Sequence, residues 1–229
     1  MKGILFDMDG VLIDAMPFHA EAFQIAFREI AKIDIDRKDV FLLEGMPGHE
    51  LVKEIFKKMK KSVPEESVIE SISERKKSLF KLKEKARPFE GVKELLESLN
   101  DKECIKAVVS GASENEVNSL LKKNGILDSF DLVISGEDLT EGKPSPEPFV
   151  TALKKLGLKP EEALVVENSP LGVNSAVKAH IPFIVTLNNT PVPLDEFQNL
   201  PKDKEELAKV LFKDTNAATN YIINWCCRS

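Results

Sequence analysis

The stretch Ile4-Leu5-Phe6-Asp7-Met8-Asp9-Gly10-Val11-Leu12 constrains this chain more than any other. A short apolar run that ends in aspartate reads as a buried strand delivering Asp7 to its carboxyl end, with a turn opening at Gly10. In a parallel α/β sheet that end of the strands is where ligands bind. Two carboxylates placed there repel and raise each other's pKa unless a cation lies between them. Mg2+ takes one or two carboxylates along with water and phosphate oxygens, and suits that arrangement. A competing reading of these residues alone is an acidic strand-to-helix turn, with aspartate as turn former or helix cap.

Downstream, the pattern changes twice. Helical periodicity runs over Asp14–Ile30, His49–Lys60 and Glu65–Lys83, with a turn at Glu44-Gly45-Met46-Pro47-Gly48 and no strand between residues 15 and 85. After Pro88-Phe89-Glu90-Gly91, short apolar strands alternate with helices: Ile105–Val109, Leu132–Ile134, Ala163–Val166 and Phe183–Thr186 are the strands. Such alternation implies right-handed βαβ units around a parallel sheet. The expected fold is therefore α/β: a Rossmann-like parallel sheet core flanked by helices, formed by residues 1–14 and 86–229, with an inserted all-α domain at 15–85.

Composition excludes several functions. A net charge of -6 without a basic block argues against nucleic acid as partner. No apolar run approaches the ~18 residues of a membrane span, so no membrane partner is expected. Nor does the N-terminus read as a signal peptide. Cys104, Cys226 and Cys227 look too few and too poorly spaced for a disulfide framework or a zinc site. Cys104 reads as strand-edge filler and the C-terminal pair as incidental, which points to a reducing cytoplasm.

Four stretches share one geometry, each following a predicted core strand. Asp7 and Asp9 follow the first, Ser110-Gly111-Ala112-Ser113 the second, Gly142-Lys143-Pro144-Ser145-Pro146 the third and Glu167-Asn168-Ser169 the fourth. Singly, Ser110 could cap a helix, Lys143 could be a solvated loop lysine, and Glu167 and Asn168 could be turn residues. Together, an acid pair, a hydroxyl in a small-residue loop, a lysine fixed among prolines and a further carboxylate make a metal-assisted phosphate site.

The order Asp-x-Asp-Gly, Ser-Gly, Gly-Lys-Pro, Glu-Asn-Ser resembles the haloacid dehalogenase-like phosphatase superfamily. The likeness is strongest to its branch with a helical cap inserted after the first motif, which includes phosphoglycolate phosphatases, sugar-phosphate phosphatases and β-phosphoglucomutases. It covers roughly residues 1–215 and implies these roles. Asp7 attacks phosphorus and forms an aspartyl-phosphate; Asp9 acts as general acid and then base. Ser110, Gly111, Ala112 and Lys143 bind the phosphoryl group. Mg2+ is held by Asp7, the Asp9 carbonyl, Glu167 and Asn168. The branch commonly has Glu-Asp where this chain has Glu167-Asn168, which removes one negative charge.

The resemblance also implies that the cap closes over the core and contacts the substrate, a small phosphorylated metabolite; the short first helix and single cap are compatible with a monomer. Its loop at Leu43–His49, including Gly48, and the helix carrying Arg75, Lys76 and Lys77 are the expected specificity elements. His19 lies near the hinge, either assisting Asp9 or satisfied as a helix residue. β-Phosphoglucomutases place an arginine where this chain has Gly48, which favours a phosphatase over a mutase. A binding module disabled by Asn168 is the reading from a different class.

Overall fold

In the computed structural model, which describes residues 1–83 and 85–227, the chain begins with β1 (Gly3–Phe6) and then leaves the sheet for four helices. These are α1 (Met16–Ile30), α2 (Arg37–Leu42), α3 (Gly48–Lys58) and α4 (Glu66–Lys83). The chain returns through α5 (Val92–Asn100) and alternates: β2 (Ile105–Val109), α6 (Glu114–Lys123), β3 (Leu132–Ile134), α7 (Glu147–Leu156), β4 (Ala163–Glu167), α8 (Pro170–Lys178) and β5 (Phe183–Thr186). It closes with α9 (Lys204–Val210), β6 (Leu211–Phe212) and α10 (Thr215–Cys226). Residues 84, 228 and 229, which fall within the expected ranges, lie outside the described residues.

The six strands pair in the order β3-β2-β1-β4-β5-β6, all parallel. This is the Rossmann-like α/β fold that the alternation implied. Alternate side chains divide the core between the sheet's two faces. Ile4, Phe6, Val108, Leu164 and Val166 pack into the cluster shared with the inserted helices. Leu5, Ala107, Val109, Ala163 and Val165 point the other way, against α7 and α8. Burial on both faces is why these strands read as unbroken apolar runs rather than alternating ones.

The inserted helices join the sheet through two adjacent passages of chain. Ile13 bridges both Asp9 and Pro88, Asp14 N–H donates to Arg87 O at 2.9 Å, and Phe89 N–H donates to Leu12 O at 3.0 Å. Two elements escaped the periodicity. Helix α2 is too short to show a 3.6-residue pattern and is set by its Asp36 cap, which accepts from Lys38 N–H. Strand β6 is two residues long and exists through its pairing with β5.

The cysteine reading is corrected. Cys104 and Cys226 form a disulfide across 122 residues, with Cα atoms 5.8 Å apart, and Cys227 is the free thiol. Sequence spacing could not show this, because the fold brings the end of α10 against the chain entering β2. With it goes the basis for inferring a reducing compartment. No helix among the described residues is long and apolar enough to cross a membrane. Substituting Cys104→Ser should lower unfolding stability by about 2–5 kcal/mol. Denaturant unfolding with and without dithiothreitol checks this; identical curves would mean the two cysteines are not bonded.

Candidate active site

Strand order reverses on either side of β1 and β4, and at such a switch point the carboxyl ends of the strands open a crevice. Asp7 follows β1, Ser110 follows β2 and Glu167 ends β4, so the fold places three of the four motifs there. The fourth arrives by a loop. Lys143 is 2% exposed, and its ammonium donates to Asp7 Oδ1 at 2.5 Å, Glu167 Oε1 at 2.6 Å and Val109 O at 3.1 Å. All three of its donors are used. The loop is held from behind, where Ser175 Oγ donates to Ser145 O at 2.5 Å and Lys178 Nζ to Pro144 O at 3.0 Å.

Glu167, expected among metal ligands, is engaged differently. Besides Lys143, its carboxylate accepts from Asn168 N at 2.9 Å, Ser169 N at 3.1 Å and Ser169 Oγ at 3.0 Å. It thus orients the lysine and the loop that carries Asn168. Asn168 in turn donates Nδ2 to Glu44 Oε2 at 3.0 Å. Glu44 comes from the turn before α3 and is only 5% exposed. Sequence reading took that turn for specificity and passed over this residue. Nothing in the sequence marked it: the turn is brought down onto the core by Gly45, which has a positive φ of 87° and closely approaches the Lys143 side chain.

Four buried oxygens here lack any hydrogen-bond donor: Asp7 Oδ2, Asp9 Oδ1, Glu44 Oε1 and Asn168 Oδ1. Unpaired buried acceptors are costly, and a group of acceptors without donors is the complement of a hard cation. Among the described residues no three histidine, cysteine, aspartate or glutamate side chains form a metal cluster by themselves. This donor set instead includes an amide. Charge agrees with the geometry. Burial, Glu167 and Asp9 push the Asp7 carboxyl up to about 8 against the pull of Lys143. Burial first, then Asp7, pushes Glu44 well above the usual carboxylate range. Burial alone would lower Lys143, but Asp7 and Glu167 hold it above its ordinary value. A bound cation would reverse the carboxylate shifts.

A cavity of about 280 Å³ lies over these groups, lined by Asp7, Asp9, Ser110, Gly111 and Ala112 from the core side and by His19, Gly48, Lys76 and Lys77 from the inserted helices. Ser110 Oγ accepts from Ala112 N at 3.2 Å at the head of α6, where backbone N–H groups favour an anion. His19 stacks on Phe80 at 4.0 Å, and its Nε2 lies 3.5 Å from Asp9 Oδ2 and 3.6 Å from Glu116 Oε1. Lys76 sits 3.6 Å from the same Glu116 oxygen. Lys143, Glu167 and Asn168 do not line the cavity themselves but are bonded to Asp7, to one another or to Glu44, whereas Arg75 lies apart from the site. It is bonded to Glu29 at 2.6 Å and does not line the cavity, because its helix turns that side toward α1.

These pKa shifts predict how the metal-free protein responds to pH. Asp7 and Glu44 bind protons more tightly folded than unfolded, so their stabilising contribution is complete at acid pH and is lost as pH rises, for Asp7 as it approaches about 8. Added Mg2+ should therefore raise the melting temperature more at pH 8 than at pH 5. Glu44→Gln should stabilise the metal-free protein at pH 8 and shrink the Mg2+ response. Thermal unfolding in chelator and in Mg2+ tests both; a Mg2+ response independent of pH and of Glu44 would contradict this reading of the site.

Comparison with known proteins agrees with the geometry. The family model described as haloacid dehalogenase-like hydrolase matches residues 4–186. A Thermotoga maritima phosphorylated carbohydrates phosphatase is 29% identical over 184 residues, covering 79% of this chain and 82% of that protein. A validoxylamine A 7'-phosphate phosphatase from Streptomyces hygroscopicus subsp. limoneus is 31% identical over 215 residues, covering 93% of each. Among solved structures, a provisionally named β-phosphoglucomutase from Bacteroides vulgatus superposes with a TM-score of 0.85 at 30% identity, covering 100% of this chain and 91% of that one. With the family model spanning most of its length and this site at the switch point of its sheet, the chain belongs to the haloacid dehalogenase-like hydrolases.

Proposed function

We propose that this chain is a Mg2+-dependent phosphatase that hydrolyses a small phosphorylated metabolite, of the sugar phosphate or phosphoglycolate type, through an aspartyl-phosphate. The observation that carries this reading is the meeting of Asp7, Asp9, Ser110 and Lys143 beneath one cavity, beside four donorless oxygens. The relatives named as sugar-type phosphatases support the substrate class.

The ion would be held by Asp7, the Asp9 backbone carbonyl, Asn168 Oδ1 and Glu44, whose carboxylate offsets the charge missing at Asn168. When bound it would supply charge neutralisation for the transferring phosphoryl group. Asp7 attacks phosphorus, its other oxygen steadied by Lys143, and splits one displacement into two. Asp9 gives a proton to the leaving oxygen and then takes one from the attacking water, and His19 beside it limits its motion. The Ser110 hydroxyl and the N–H groups of Gly111 and Ala112 hold the phosphoryl oxygens, with Lys143 neutralising charge that grows in the transition state. Residues 15–85 serve as a cap that keeps bulk water from the reacting centre.

Mutase chemistry is less well supported. Gly48 supplies no side chain to grip a second phosphate, the space a β carbon would enter there is open, and Arg75 is committed to Glu29.

A panel of phosphate esters with and without Mg2+ is the direct test. Asp7→Asn should reduce phosphate release by on the order of 10³-fold or more. Conversion of β-glucose 1-phosphate to glucose 6-phosphate without release would favour the mutase. Loss of metal dependence would reject the proposal. Asn168→Asp puts a second carboxylate against Glu44, and should lower the metal-free melting temperature while lowering the Mg2+ concentration needed for half-maximal activity. An unchanged metal requirement would remove Asn168 from the ligand set.

A further inference from the structure

The family match ends at residue 186, yet two residues beyond it reach the turn that carries Asp9. Asn188 Nδ2 donates to Gly10 O at 2.6 Å and to Thr215 Oγ1 at 3.1 Å. Thr215 Oγ1 donates to Val11 O at 2.9 Å, and Thr215 N–H donates to Asn188 Oδ1 at 3.0 Å. Thr215 is fully buried, and Asn188 holds the left-handed backbone, at φ 46°, that aims its amide inward. The neighbouring Asn189 donates to Asp14 Oδ1 at 2.8 Å, where the chain leaves for the inserted helices.

From these contacts we infer that Asn188 and Thr215 are positioning residues for the Asp9 turn. The inference rests on the phosphatase reading. After Asp9 the backbone leaves the sheet, with Gly10 at φ 86°, so its carbonyls have no strand partner. Gly10 N–H is held by Ile13 O at 2.8 Å, which orients the peptide bearing the Asp9 carbonyl. Asn188 then holds the next peptide at its carbonyl and Thr215 the one after. Three successive peptide planes are thereby set, two of them by partners 178 and 204 residues distant. Both the Asp9 side chain and its carbonyl depend on that setting. Helix α10 carries Thr215 at one end and at the other is tied by Cys226 to Cys104, so the brace is anchored to the core away from the site.

The test uses Asn188→Gly, which keeps the left-handed backbone and removes only the amide, and Thr215→Val, which keeps the shape and removes the hydroxyl. Hydrolysis of p-nitrophenyl phosphate is measured well below each variant's melting temperature, and Mg2+ binding by calorimetry. Both variants should lose at least about tenfold in kcat with little change in KM. Both should also need more Mg2+ for half-saturation. Thr215→Ser should restore both quantities. Ile222→Val, which loosens the same helix without touching these bonds, should lower the melting temperature and leave kcat alone. Wild-type kcat and Mg2+ binding in folded Asn188→Gly and Thr215→Val would overturn the inference, as would an equal loss in Ile222→Val. If the wild-type protein binds Mg2+ but hydrolyses no ester, the phosphatase reading fails by itself, and unchanged Mg2+ binding in the two variants then sinks the positioning role.

Discussion

The ammonium of Lys143 is the interaction on which the site depends. Four carboxylates, from Asp7, Asp9, Glu44 and Glu167, lie buried at one end of the sheet, and one lysine lies among them. Burying ions is costly unless they are paired and hydrogen-bonded. Lys143 meets the condition for two of the four, and Glu167 meets it a second time through three donors of its own loop. What is left over is an excess of negative charge with donorless oxygens around Asp7, Asp9, Glu44 and Asn168. In the proposed reading, the imbalance that makes the site expensive to fold is the one a bound cation would relieve, with the cation and Lys143 then offsetting the charge of a phosphoryl group.

Much of the fold was legible because its causes are local. Strands buried on both faces give unbroken apolar runs, and helices on one face give 3.6-residue spacing, so β1 through β5 and α1, α3 and α4 follow from residue order. The core motifs were legible for the same reason, each standing where a strand ends. Glu44 was not. Its importance arises from the descent of a turn onto a loop 124 residues further along, and a glutamate before Gly-Met-Pro-Gly carries no mark of that. Arg75 fails in the opposite sense. Its charge suggested substrate, but the phase of α4 turns it toward Glu29 while the next residue, Lys76, faces the cavity.

Long-range closure explains the remaining surprises. Cys104 and Cys226 meet only once α10 has packed beside α5 and the chain entering β2. Thr215 meets Val11 for the same reason. Each contact has one partner beyond the family match, where periodicity is weak and burial depends on the completed sheet.

Glu44 also has a thermodynamic consequence. It stands on a turn of the inserted segment, whereas Asp7, Asp9 and Asn168 stand on the core, and the insert joins the core at adjacent crossings near Ile13 and Pro88. A ligand that draws on both sides of that joint is coupled to the position of the insert, and such coupling is reciprocal. Whatever factor closure contributes to the ligand's affinity, the ligand returns to the closed population. Lid and ion would then act as a single two-component switch, in which neither can be tuned by mutation without shifting the other.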